Sequence, residues 1–197
     1  VNLLVLHALR CVGTAGLTRL AAATGLSESD VESELIDLAV AGLVTHVADF
    51  RVWALTDDGR VADAERTTAE LESAGARPAM ATAYDGFLVL NPELLDLCTA
   101  WQLRSVDGVV VTNDHSDRSY DDRVLGRFAD LHRRAVVVCA GLSSALPRFD
   151  RYRVRLTEAL GRVEAGEWEF LADDTESYHA VWAQLHEDQL ATLGIPR

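Results

Sequence analysis

Apolar positions first recur at helical steps over residues 3–12, where Leu3, Leu6, His7 and Arg10 are spaced around a short helix that Gly13 ends. Leu17 and Leu20 lead a second short helix up to Thr24-Gly25, a turn that needs a permissive backbone. Ser27 then has the chemistry of an N-cap, with Asp30 three residues on as a capping-box variant. Val31, Leu35, Leu38 and Ala39 form the buried stripe of a third helix, which Gly42 stops. The pattern changes at LVTHVADFRVWALT, where β-branched and aromatic residues on both sides of Ala48-Asp49 predict two short strands. Thr56 caps a long polar helix, DDGRVADAERTTAELESAG, that ends at Gly75. Three helices, a hairpin and a helix follow one another in the order of a winged helix.

Arg77-Pro78 marks the expected boundary, because proline suits the first turn of a new helix. One helix is predicted over about 78–90, and another starts at Asn91-Pro92 and carries Leu94, Leu95, Leu97 and Trp101. The stretch SVDGVVVTNDHSDRS, residues 105–119, reads as a loop. A long helix from Tyr120 to Leu146 has Val124, Phe128, Leu131, Val138, Leu142 and Ala145 along one side. Pro147 interrupts it. RFDRYRVRLTEALGRVEAG makes the next helix, and a last one spans about 175–193. The expected fold is therefore mainly α, with a winged helix-turn-helix domain over 1–76 and a helical bundle over 77–197 for dimerisation or ligand sensing.

Charge weighs against nucleic-acid binding. The net charge is −13, and all 18 basic residues are arginine. Residues 1–76 hold five Arg against 12 Asp+Glu, a balance opposed to the counterion release that drives nucleic-acid binding. The three cysteines, Cys11, Cys98 and Cys139, lie far apart without CxxC spacing and read as buried thiols of a cytoplasmic protein. VNLLVLHALR is too short and too poorly flanked for a signal peptide or a membrane span, and no later run reaches eighteen apolar residues. Val1, where Met is expected, reads as a GTG start or a trimmed chain.

AGLVTHVADFRVWALTDDGR, residues 41–60, resembles the recognition-helix end, wing and following helix start of MarR-type winged-helix regulators. That family commonly shows Gly-Leu-Val, a short hairpin with an arginine, then Leu-Thr-x-x-Gly-Arg. The match covers about the first third of the chain, and the family's usual basic recognition helix is missing from it. NDHSDRSYD, LPRFDRYRVRL and SYHAVWAQLHEDQLATLG resemble a helical region that accompanies winged-helix segments in actinobacterial proteins, also seen attached to pyruvate phosphate dikinase-like proteins.

The resemblance implies a transcriptional regulator that binds DNA as a homodimer, with residues 17–40 as the helix-turn-helix and the hairpin near 45–55 as the wing. Ser29 and Ser33 on the exposed face of the third helix, Arg19 on the second and Arg51 on the wing are the residues for DNA. Glu28 and Glu32 on the same face oppose phosphates, so the alternative is an adaptor whose acidic helix docks on a protein, such as a phosphoenolpyruvate-linked dikinase-type enzyme. A small-molecule effector is a further expectation, with His115, His179, Trp182, His186, Arg151 and Arg155 as its ligand residues. Asp114, His115, Asp117, His132, His179 and His186 match no compact metal signature. Arg148, Arg151, Arg155 and Arg162 follow one face of their helix, as an anion site or as partners for nearby acids. No GxSxG, P-loop or GxGxxG is present. The expectation is a non-enzyme with no metal and no cofactor.

Overall fold

The computed structural model describes residues 3–196, so the reading of Val1 lies outside the described residues. Of the described residues, 74% are helical and 9% lie in strands. Its described residues fall in two compact units, residues 3–78 with 183–196 and residues 79–182. The boundary expected at 76/77 meets a division after Pro78, and the expected bundle over 77–197 is divided again after Trp182.

In the first unit α1 (Leu3–Val12), α2 (Leu17–Thr24) and α3 (Glu28–Val40) are followed by β1 (Val44–Val47), β2 (Val52–Leu55) and α4 (Asp57–Ser73). Val5, Leu6, Leu9, Leu20, Val31, Leu35 and Leu38 form one core with Val44 and Leu55. Each such side chain contributes about 1.5–3 kcal/mol by leaving water. Ser27 caps α3 as its sequence predicts, its Oγ accepting from the Asp30 N–H. Gly42, at φ 75°, closes the same helix. Leu43 N–H then donates to Leu38 C=O and Gly42 N–H to Ala39 C=O, the two bonds of a Schellman motif.

The β1–β2 hairpin pairs Val44 with Leu55 and Val47 with Val52, and its turn is a 3-10 segment, Ala48–Phe50, that ends at Arg51. Ala15, between α1 and α2, adds a third short rung: its N–H donates to Trp53 C=O at 3.1 Å and its C=O accepts from Trp53 N–H at 2.8 Å. The Thr-x-x-Gly-Arg run after the hairpin has a steric reason. Thr56 caps α4 by accepting from Gly59 N–H at 3.0 Å and donates its hydroxyl to Gly42 C=O at 2.7 Å. A Cβ on Gly59 would stand 1.9 Å from the Leu43 carbonyl oxygen. Only glycine fits there.

The second unit holds most of α5 (Arg77–Gln102), then β3 (Leu103–Val106), β4 (Val109–Thr112), α6 (Arg118–Ala145), α7 (Asp150–Glu164), the short α8 (Glu169–Ala172) and the start of α9 (Tyr178–Leu193). Two expectations are corrected. The helices predicted on either side of Asn91-Pro92 are one helix, with Pro92 inside it. Proline removes the bond to the Leu88 carbonyl, one lost bond in a helix of 26 residues. The expected loop over 105–119 contains a hairpin instead, turning at Asp107-Gly108 with φ 52° and 82°. Two successive positive φ values are the type I′ geometry that Asp-Gly favours. The core of this unit is aromatic: Phe87 stacks on Trp182 at 4.5 Å, and Phe128 meets Tyr178 edge-on at 6.0 Å.

Candidate functional site

The outward face of α3 begins with Glu28, Ser29, Glu32 and Ser33, all exposed. Glu28 is held by the Thr18 hydroxyl, which donates to its Oε1 at 2.7 Å. Farther along the helix Asp37 is exposed, Ile36 is 53% exposed and Val40 86%. No Arg lies on this helix. Of the residues expected to meet DNA, Ser29 and Ser33 are one turn apart on this face. Arg19, on α2, is half-buried, and Arg51 sits exposed at the hairpin tip with φ 51°, beside Phe50 at 75% exposure. The face is acidic at one end and apolar at the other.

A different cluster lies inside the same unit. His7 on α1 is fully buried, with Asp63 of α4 2.9 Å from Nδ1 and Asp188 of α9 2.9 Å from Nε2. Both carboxylates are buried as well. Thr192 donates to Asp188 Oδ1 at 3.1 Å, and Cys11 Sγ stands 3.5 Å from His7 Nε2. Complete burial opposes the charged imidazole. The negative charge available at Cys11 and Asp188, with the hydrogen bonds to Asp188 and Asp63, outweighs it and lifts the His7 pKa well above the ordinary value. A raised pKa favours the imidazolium, in which each ring N–H has a carboxylate oxygen to donate to. Among the described residues, His7, Cys11 and Asp188 bring their ligand atoms within 4.8 Å of one another, as a metal ion would need. Sequence reasoning missed this cluster: His7 and Cys11 are i, i+4 on one helix, a signal that could have been used, but Asp63 and Asp188 stand 56 and 181 residues away from His7.

No family model matches this chain, and no curated protein or solved structure matches it either.

The second unit gives the expected ligand residues separate surroundings. His115, at φ 57°, packs on Trp101 with ring centroids 4.5 Å apart and bonds Asp121 through Nδ1 at 3.1 Å. Asn113 fixes the same carboxylate, donating to Asp121 Oδ1 at 2.8 Å. Beside them a cleft of about 290 Å³ is lined by Trp101, Trp168, Arg118, Asp121, Asp122 and Glu164. Trp182 is a core residue, stacked on Phe87 and donating Nε1–H to Asn91 at 2.9 Å. His179 lies in this unit and His186 in the other, although both are on α9. The arginines of α7 use intramolecular partners: Arg151 lies over the Tyr152 ring, Arg155 meets Glu176 at 2.8 Å, and Arg162 pairs with Glu167. Cys98 and Cys139 are buried free thiols, each pushed up to about 12 by desolvation.

Proposed function

We propose that residues 3–73 are a winged helix and that the protein is a winged-helix adaptor, docking the outward face of α3 on a basic, partly apolar surface of a protein partner. The observation that carries this reading is the composition of that face: exposed Glu28, Glu32 and Asp37, exposed Ile36 and Val40, and no cation on the helix. The Ala15–Trp53 rung supports the winged-helix assignment, since it adds a strand from between α1 and α2 to the hairpin. Electrostatics decide between partners. Carboxylates at the groove-facing end of α3 repel phosphates, whereas they steer and orient a basic protein surface. A dikinase-type enzyme is the partner that the C-terminal resemblance suggests. The test is capture of partners from a lysate by the full chain and by its Glu28→Arg/Glu32→Arg variant. Identical partner sets would remove α3 from the function.

A second reading, a homodimeric cytoplasmic transcriptional regulator, is favoured by exposed Arg51 at the hairpin tip, where a winged helix touches the DNA backbone. In that reading Ser29 and Ser33 contact the groove, Arg19 supports them, and the cleft beside His115 takes the effector. Fluorescence anisotropy on the chain's own upstream DNA and on a scrambled duplex separates the two. Salt-sensitive binding that prefers the upstream DNA establishes the regulator, and absence of binding at low salt leaves the adaptor.

A further inference from the structure

We infer that His7, Cys11 and Asp188 form a binding site for a divalent transition metal, zinc by preference, with Asp63 as the outer carboxylate that orients the imidazole. The argument begins with the two faces of His7. A histidine that ligates a metal through one nitrogen usually donates its other N–H to a carboxylate, which sets both tautomer and ring orientation. Asp63 occupies that position at Nδ1, 2.9 Å away and buried. Nε2 faces the other two donors, Cys11 Sγ at 3.5 Å and Asp188 Oδ1 at 2.9 Å.

The spacing suits the ion. With Zn–N near 2.0–2.1 Å and Zn–S near 2.3 Å, tetrahedral geometry sets ligand-to-ligand distances of about 3.3–3.6 Å. The Nε2–Sγ distance already has that length. The Nε2–Asp188 distance is that of a hydrogen bond, and it has to open by about 0.4 Å to reach the same range.

Asp63 and Asp188 are buried and Cys11 is half-buried, so a bound dication would have carboxylate and sulfur donors within reach in a place poor in water. The nitrogen, sulfur and oxygen donor set suits zinc better than magnesium or calcium, which want oxygen alone. A cleft of about 310 Å³ lined by Arg10, Cys11, Arg60 and Glu187 reaches the cysteine and provides a route in and room for a water as fourth ligand.

The test uses the full chain stripped of metal by a chelator and titrated with Co²⁺. One cobalt per chain with thiolate-to-cobalt charge-transfer absorption is expected, displaced stoichiometrically by Zn²⁺. Cys11→Ser should lose the charge-transfer band, and because Cys11 is half-buried rather than sealed in the core, that variant keeps its fold. Asp63→Asn should weaken binding by about 10–100-fold while keeping the band. Calorimetry of Zn²⁺ binding to the wild type should report one site per chain. No charge-transfer absorption, a band that survives Cys11→Ser, or no one-to-one Zn²⁺ binding would each overturn the site.

Discussion

Replacing His7 by alanine would leave Asp63 and Asp188 buried with the charge between them gone. Their surroundings are dry: His7 and Asp188 are 0% exposed and Asp63 1%. Breaking a buried ion pair from one side costs about 3–5 kcal/mol, mostly the desolvation of the charge left behind. A whole domain is stable by only about 5–15 kcal/mol, so this is a large share. For a unit of this size, each kcal/mol moves the thermal midpoint by about 4–8 °C, and the variant should melt at least about 12 °C lower. Hydrogen exchange read peptide by peptide, with chelator present, is the suitable assay, because it follows residues 3–12, 57–73 and 183–193 separately from the second unit. The pH dependence has a fixed sign. His7 has a raised pKa in the folded chain, so its stabilisation is complete below about pH 6.5, the unfolded value, and is lost as pH rises through the folded one. The alanine variant should lack that alkaline loss. A combined His7→Leu, Asp63→Leu, Asp188→Leu variant should recover most of the stability, since apolar replacement of a whole buried network is often neutral or better. A His7→Ala loss under about 1 kcal/mol, or a triple variant no better than the single, would refute the electrostatic account.

The remaining consequences lie mostly outside that cluster. Gly59→Ala should destabilise the first unit by about 3 kcal/mol in urea unfolding, because its Cβ meets the Leu43 carbonyl at 1.9 Å and backbone must move. In native protein at mildly alkaline pH a thiol reagent should titrate Cys11 and leave Cys98 and Cys139 unmodified, whose pKa values stand at about 12. All three should react after unfolding. Arg155→Ala should lower the stability of the second unit by about 2–4 kcal/mol, measured by thermal unfolding, since it strands Glu176 beside a buried position. If the acidic face is what keeps α3 off nucleic acid, the Glu28→Arg/Glu32→Arg variant should gain salt-sensitive DNA affinity in anisotropy, and no gain would show that shape rather than charge excludes DNA.

Much of the local structure was legible along the chain. The caps at Ser27 and Thr56 and the stop at Gly42 stand where their side chains predict, because each acts within four residues of itself. Pro92 and residues 105–119 show where local reading falls short. Helix continuity through Pro92 depends on the cost of one lost bond against the burial of Leu90, Leu94 and Leu97 around it. The second hairpin does carry a local signal, Asp107-Gly108 between valines, but its strands are almost wholly exposed and lack the alternation that burial imposes. Chemical type alone marks the candidate ligand residues of the second unit. Packing gave Trp182 to the core, Arg155 to Glu176 and His115 to Asp121.

The single helix through Pro92 could not be read from the sequence by itself, whereas the helices of the first unit, its hairpin and the acidic outward face of α3 could. These depend on period, capping and charge, which are properties of neighbours in the chain. Only the tertiary structure decided that a histidine on α1 is closed between carboxylates 56 and 181 residues away, with a thiol one turn along the helix. The physical reason is that a buried ion needs its partners in space, and no periodicity records which distant acid the fold will bring.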